Sequence, residues 1–222
     1  MLTLFRSRYY DVLASVYIYN EYQAYTSLER LLAAIKEKYP NDSTFIHAVS
    51  KHTQDERKHY RMFKSYFEHE NRMPLAVDSM YGYIDQFVKW IFGRTLEELN
   101  ERQILESDDL FFKLCRVIMM TEFRGMKQVD VLLRSGIVQR HPSLLRIFKV
   151  IEHDEPSHCF PYKRWLEERG AHLPGFEERF TDLWVHYSLM LVTMPILFLN
   201  VQSRRLAVFY DQKEESKFLV LP

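Results

Sequence analysis

Cysteine and glycine are scarce in this sequence. The 222 residues include only two cysteines, Cys115 and Cys159, and they form no CxxC pair. A disulfide framework and a metal site built from cysteine thiolates are therefore excluded, and we expect a reducing, cytoplasmic location. Only six glycines interrupt long periodic segments. Together these patterns predict an all-α protein.

An excess of charge of either sign is also missing. Thirty Lys and Arg residues balance thirty Asp and Glu residues, and no long block of one sign occurs. Because no basic surface is indicated, we expect no nucleic-acid partner. The first residues, MLTLFRSRYYDV, contain too short an apolar run for a secretory signal peptide.

Long apolar stretches are limited to residues 183–201, which are about numerous enough to cross a bilayer. Polar residues and a proline interrupt this stretch, at His186, Ser188, Thr193, Pro195 and Asn200. A helix that is apolar on most sides also suits the interior of a sizeable bundle. We therefore predict a buried fifth helix and no transmembrane segment. A pocket lid, a homodimer contact and a lipid-facing patch are the roles left open for it.

The remaining sequence predicts one domain, residues 1–222, with four long helices between about residues 6 and 170. Apolar stripes, capping residues and breakers place these helices at about 6–39, 43–73, 108–135 and 142–170. Between the second and third lies a long crossover with two short helical pieces, the second opening at a capping box, Thr95 to Glu98. A C-terminal apolar helix and tail follow at about 176–222. Two short-loop helix pairs joined by one crossover are typical of a ferritin-like four-helix bundle.

Each long helix carries ionisable residues on its apolar stripe. An isolated carboxylate in an apolar interior loses more solvation energy than it regains, so these acids need a common partner. Residues three apart on a helix share a face, so a Glu-x-x-His motif presents both side chains to one place. The four helices therefore predict a two-metal site with six ligands: Glu21, Glu56, His59, Glu122, Glu155 and His158.

Four carboxylates and two imidazoles suit iron or manganese better than zinc. An aspartate precedes each Glu-x-x-His motif, at Asp55 and Asp154. An acid in this position can accept the second ring proton of a ligand histidine, and we expect it to do so across to the opposite helix.

The order of lone Glu, Glu-x-x-His, lone Glu and Glu-x-x-His over residues 6–170 resembles the ferritin-like di-iron carboxylate superfamily. The segment Glu21-Tyr-Gln-Ala24 is similar to the first-helix signature of rubrerythrins, and the doubled Asp-Glu-x-x-His resembles bacterial multicomponent monooxygenases. The resemblance implies two iron ions, with a manganese–iron pair as the other option, and dioxygen as co-substrate.

Departures from these families narrow the expected activity. Gly125 stands where rubrerythrins carry a further glutamate, and a cysteine-rich electron-transfer domain is missing. Classical ferritin sites lack the second Glu-x-x-His histidine. The resemblance therefore indicates an oxygenase or oxidase that acts on a small, apolar or aromatic substrate with an unidentified electron donor. The alternatives are a ferroxidase or metal-handling protein without an organic substrate, and an interaction protein with a vestigial site.

Four further residues are open to more than one interpretation. His52 shares the face of His59 and is either a ligand or a hydrogen-bonded core histidine, of which the second is preferred. Glu29 competes with Glu21 as first-helix ligand, but it stands at the edge of the stripe. Gly125 leaves room beside the metals or allows close helix packing. Pro156 predicts a bent or locally opened fourth helix at the site.

Overall fold

The computed structural model describes residues 2–99 and 101–212, without the side chains of residues 2 and 101. The last ten residues of the predicted C-terminal tail, 213–222, lie outside the described residues. Within the described ranges the structure is helical, apart from turns, loops and an isolated β-bridge between Leu75 and Arg205. The all-α prediction is confirmed for this part of the chain.

Four long helical segments pack side by side, and shorter helices connect or cover them. Helix α1 packs along α2, α5 packs against both α6 and α7, and α2 also contacts α6 and α7. The helices are α1 Leu2–Lys38, α2 Ser43–His69, α3 Tyr83–Phe92, α4 Glu101–Glu106, α5 Asp108–Arg134, α6 Pro142–Asp154, α7 Pro156–Glu168, α8 Phe176–Ser188 and α9 Met194–Leu199.

Side-chain caps place the long helices close to their predicted starts. The Asp42 carboxylate accepts a hydrogen bond from the Phe45 backbone N–H at 3.2 Å, and the Ser107 hydroxyl accepts one from Leu110. Each cap satisfies a backbone donor that has no partner within the helix. Helices α2 and α5 therefore begin at the residues that follow these caps.

The predicted helix opening at Thr95 is wrong. Glu98 does accept a hydrogen bond from the Thr95 backbone N–H at 2.7 Å, but turns follow and the helix begins only at Glu101. The Arg30 guanidinium donates to the carbonyls of Leu96 and Leu99, at 3.1 and 3.2 Å. These contacts hold the segment against α1 as an irregular turn.

The fourth long helix is interrupted at Glu155, as Pro156 predicts. Proline has no N–H, so the backbone bond that would continue the helix across this position is missing. Helix α6 ends at Asp154 and α7 begins at Pro156, while the Ser157 hydroxyl donates to the Asp154 carbonyl at 2.8 Å. The opened turn lies beside two of the predicted ligands, Glu155 and His158.

The prediction of a buried C-terminal helix is wrong. A π-helical turn, Leu189–Thr193, joins α8 to α9, so that one helix runs over Phe176–Leu199. Val185, Leu189 and Leu197 are buried. Helices α3 and α5 contact α8, and α1 contacts α9, so the neighbours cover a single face of this helix.

The opposite face of this helix is exposed to solvent. Leu183, Leu191 and Leu199 are 45%, 72% and 73% exposed. By length and composition, Phe176–Leu199 is the one helix in the described ranges that could cross a membrane.

Two aromatic core clusters occupy the interior of the bundle. One contains Phe63 and Phe148, and the other contains Phe111 and Trp165. Along α2, α5 and the α6–α7 segment, the predicted ligands stand between the residues of these two clusters, and on α1 Glu21 precedes the second cluster, which begins at Leu28. The acids therefore form a polar layer inside an otherwise apolar bundle.

Candidate metal centre

The six predicted ligands come together in this layer. All of them are buried, with Glu21 on α1, Glu56 and His59 on α2, Glu122 on α5, Glu155 at the α6–α7 break and His158 on α7. Isolated charges would be strongly destabilising at this depth, so the cluster needs compensating charge from a cation or from protons.

The donor atoms are separated by distances that suit shared metal ions. His59 Nδ1 lies 3.4 Å from Glu21 Oε2 and 3.8 Å from Glu56 Oε1. His158 Nδ1 lies 3.1 Å from Glu56 Oε1 and 3.8 Å from Glu122 Oε2. Donors bound to one ion at about 2.1 Å stand roughly 3 Å apart when they are at right angles. The cluster therefore has room for ions between its donors.

Glu56 is common to two sets of donors. One set combines Glu21, Glu56 and His59, and the other combines His52, Glu56, Glu122 and His158. A carboxylate shared in this way is in position to bridge two ions. Glu155 stands beside the second set, with Oε2 4.0 Å from His158 Nδ1.

His52 is a donor that the preferred sequence interpretation missed. Its Nδ1 lies 3.2 Å from the Tyr162 hydroxyl, which agrees with a hydrogen-bonded core histidine. Its Nε2, however, faces the acids, 3.6 Å from Glu56 Oε1 and 3.5 Å from Glu122 Oε1. The helical signal was present, since His52 precedes His59 by two turns on one face. The site thus brings together seven donor side chains.

The two aspartates contact the histidines in a crossed arrangement. His59 Nε2 on α2 lies 3.0 Å from Asp154 Oδ2, and His158 Nε2 on α7 lies 3.3 Å from Asp55 Oδ2 on α2. The expected contacts across to the opposite helix are therefore confirmed. An aspartate that accepts the Nε2 proton leaves the Nδ1 lone pair free to face the acids.

A lysine joins the two aspartates. Lys58 Nζ lies 2.8 Å from Asp55 Oδ1 and 2.6 Å from Asp154 Oδ2, and Lys51 pairs with Asp55 as well. Burial alone would raise the pKa of both aspartates. Hydrogen bonds from the histidines and lysines instead hold the pKa of Asp55 and of Asp154 below its ordinary value. Both therefore stay ionised as acceptors for the histidines.

The buried glutamates differ in proton affinity. Burial, with the nearby Glu56 carboxylate, raises the pKa of Glu21 well above its ordinary value. Burial, with Glu122 and Glu56, does the same to the pKa of Glu155. Against the effect of burial, His158 and His52 hold the pKa of Glu56 well below its ordinary value. Without a cation, Glu21 and Glu155 are therefore the carboxyls that retain protons.

A cavity of about 820 Å³ adjoins the acids. It lies between α1 and α5 and beneath the C-terminal helix, which supplies part of its lining, including Leu189 and Phe198. The C-terminal helix thus supplies part of the wall of this cavity.

Gly125 provides space for the Glu155 carboxylate. A Cβ at this position would lie 3.4 Å from Glu155 Oε1, and its three nearest neighbours all belong to that side chain. Gly125 also lines the cavity. Gly125 therefore borders both the Glu155 carboxylate and the cavity, although a Cβ here would be at ordinary van der Waals distance from that carboxylate.

One further acid, Glu29, and one tyrosine, Tyr17, have different surroundings. Glu29 pairs with Arg57 and is 42% exposed, so it is outside the cluster. Tyr17 lines the cavity, and its hydroxyl has no hydrogen-bond partner in the part of the chain that the structure describes. Burial, then Glu21 and Glu155, raise the pKa of this hydroxyl well above its ordinary value.

Comparison of the chain with protein-family models, with curated proteins and with solved structures gave no match. The donor set, its partners and the cavity therefore carry the functional argument.

Proposed function

We propose that the protein is an oxygen-activating oxidoreductase with two iron ions, built on a ferritin-like bundle. Helices α1, α2 and α5 and the α6–α7 pair would be the four helices of that bundle, with α3 and α4 in its crossover. The observation that carries the proposal is the convergence of seven buried nitrogen and oxygen donors from all four segments.

Unpaired polar atoms support a metal at this place. Four buried atoms, His52 Nε2, His59 Nδ1, His158 Nδ1 and Glu155 Oε2, have no hydrogen-bond partner within residues 2–99 and 101–212. Buried polar groups without a partner are rare and destabilising, so their convergence fits a ligand that accepts their lone pairs. The absence of sulfur among these donors, and their number, suit iron or an iron–manganese pair.

The two donor sets assign ligands to two ions. Glu21, Glu56 and His59 would hold one ion, and His52, Glu56, Glu122 and His158 the other, with Glu155 adjacent. When bound, the iron pair supplies the redox chemistry that dioxygen activation requires.

The surrounding residues orient and insulate this centre. Asp154 and Asp55 would fix the ring orientation of His59 and His158, and Lys58 forms an ion pair with each aspartate. Glu21 and Glu155 hold protons that an incoming cation would displace. The Tyr17 side chain forms part of the cavity wall, and its buried hydroxyl has no hydrogen-bond partner in the described residues.

The cavity favours an organic substrate over a metal-handling role. Its volume lies in the range of small-molecule sites, and most of its lining side chains are apolar. A route for iron ions through a protein needs polar or charged walls, since an ion is destabilised in apolar surroundings. We therefore favour an oxygenase or oxidase over a ferroxidase.

Iron loading tests this proposal. The protein loaded anaerobically with ferrous iron should bind two ions per chain and consume dioxygen when air is admitted. Glu56→Ala should lose at least one ion, whereas Glu29→Ala, which changes an acid outside the cluster, should keep both. Failure of the natural protein to bind iron, or unchanged occupancy in Glu56→Ala, would refute the metal site.

A further inference from the structure

The cavity beside the acids is long. Its lining follows α1 from Ala24, beside the acids, back to Phe5 near the start of the chain. These residues are nineteen positions apart, which corresponds to about 28 Å at 1.5 Å per residue. The part of α5 that lines it runs from Thr121 to Leu132. A compact small molecule would occupy a fraction of this length.

Away from the acids, the wall presents apolar side chains such as Leu13, Leu132 and Phe198. The charged groups in this part of the lining already have partners. Arg124 donates to Asp182, and the Lys127 ammonium lies 4.3 Å from the centre of the Phe123 ring. The walls therefore favour an uncharged chain over a polar ligand.

The far end of the cavity opens on an apolar surface. Three lining residues there are also exposed: Phe5 by 49%, Val131 by 67% and Leu199 by 73%. No Asp, Glu, Lys or Arg occurs in residues 183–203, which border this mouth. The charged residue that contacts this border, Arg8 on α1, is held by it, since its guanidinium donates to the carbonyls of Leu197, Phe198 and Asn200.

We propose that the cavity binds a long-chain lipid, with one end at the acids and its aliphatic chain extending along α1 to the mouth at Phe5 and Leu199. That the lipid is a substrate rests on the proposed function. Binding of its aliphatic chain in the cavity needs no metal. The proposed lipid is extended and replaces the small substrate that the sequence predicted.

A homologous series of alcohols tests the inference. Normal alkanols, from hexanol to hexadecanol, should displace the fluorescent polyene fatty acid cis-parinaric acid from the metal-free protein. Affinity should rise about fourfold for each added methylene while the chain stays inside the cavity, as expected from the burial of each group. Absence of displacement by any alkanol would overturn the inference.

Two matched variants test whether the alkyl chain binds in the cavity or on the exposed C-terminal helix. Leu13→Trp places a large side chain halfway between Phe5 and Glu21, and the rise in affinity should end at shorter chains. Leu32→Trp introduces the same change at a partly buried position of α1 outside the cavity lining, and the natural chain-length profile should persist. Identical profiles in Leu13→Trp and the natural protein would place the alkyl chain outside the cavity and contradict the inference.

Iron binding, measured after the same preparations have been loaded with ferrous iron, separates this inference from the proposed function. Normal iron binding without alkanol binding would refute lipid binding in the cavity and leave the proposed metal site intact. Alkanol binding without iron binding would refute the metal site and leave lipid binding intact. Flotation with phosphatidylcholine vesicles identifies the source of the lipid. Co-flotation of the protein supports uptake from a bilayer, and binding without flotation supports uptake from the dispersed form.

Discussion

The two halves of the candidate metal centre have the same spacing of donor residues and differ in the residues that surround these donors. In both halves, a lone glutamate is combined with an Asp-Glu-x-x-His motif, and each aspartate contacts the histidine of the other half. Alignment of the motifs pairs Lys58 with Ser157, and His52 with Ile151. Helix α2 is continuous, whereas the second motif is interrupted at Pro156.

Because of these differences, the two halves contribute different features to the site. Helix α2 supplies the third imidazole from His52 and the two ammonium groups, of Lys51 and Lys58, that pair with the aspartates. The other half supplies the space, since Gly125 and the opened turn at Glu155 lie beside the cavity. We therefore expect changes in α2 to affect metal retention most.

The largest effect on iron content is expected from substitution of a glutamate that belongs to both donor sets, compared with one that belongs to a single set. Glu56 belongs to both donor sets, whereas Glu122 belongs to one. Glu56→Gln should therefore reduce iron content to less than one ion per chain, and Glu122→Gln should leave about one. Iron and protein assays on purified, iron-loaded samples measure this, and equal losses in the two variants would contradict a bridging role for Glu56.

The next effect concerns the imidazole that one half has and the other lacks. His52→Ile gives α2 the residue that the second half carries at Ile151, and it should weaken binding of one ion by more than tenfold. Loss of a residue that only hydrogen-bonds to a metal ligand typically lowers metal affinity by at least tenfold, and we expect loss of a direct ligand to exceed that value. Competition with a chelator measures the affinity, with the exposed His47→Ile on the same helix as control. Equal metal affinity in the two variants would show that His52 is a hydrogen-bonded core residue and not a ligand.

A smaller and symmetrical effect is expected for the crossed aspartates. Asp55→Asn and Asp154→Asn each remove the carboxylate that orients one histidine, so each should lower metal affinity about 10- to 100-fold. The same chelator competition measures both variants. A loss confined to one variant would show that the halves are not equivalent in this respect.

The smallest effect concerns proton binding by Glu21 and Glu155, one in each half. Because burial raises the pKa of both in the folded protein, each contributes stability at low pH. This contribution decreases as the pH rises above the unfolded carboxyl pKa of about 4.3 and through the folded pKa. Metal-free Glu155→Gln should therefore melt higher than the natural protein at neutral pH, by about 3 °C per kcal/mol gained.

Thermal melts at pH 4 and at neutral pH check this sign. The advantage of Glu155→Gln should shrink at pH 4, where the natural carboxyl is protonated in the folded protein and largely protonated in the unfolded chain. Iron binding to the natural protein should also release protons into a weakly buffered solution. An advantage that is independent of pH would contradict proton retention by Glu155.

Much of the helical framework was predictable because local signals agree with it. Apolar stripes and the caps at Asp42 and Ser107 determine where helices lie, and Pro156 determines where one opens. The acids were predictable since a carboxylate on an apolar stripe needs a buried partner. The crossed aspartates followed from their position beside each motif.

The failed predictions depend on neighbours that are distant in sequence. His52 has the periodicity of a core residue, and only the packing of α7 beside it shows that Nε2 faces the acids. Residues 183–201 are apolar on most sides, but the number of elements that cover them is set by the bundle and not by their own sequence. Arg30 likewise reaches the turn after Thr95 from another helix.

The most direct test of the centre is a crystal structure of the iron-loaded protein with anomalous diffraction recorded at the iron absorption edge. We expect two iron peaks on either side of the Glu56 carboxylate, with His59 Nδ1 about 2.1 Å from one and His52 Nε2 about 2.1 Å from the other. A single peak, or peaks outside the layer that contains Glu21, Glu122 and Glu155, would contradict the two-iron centre.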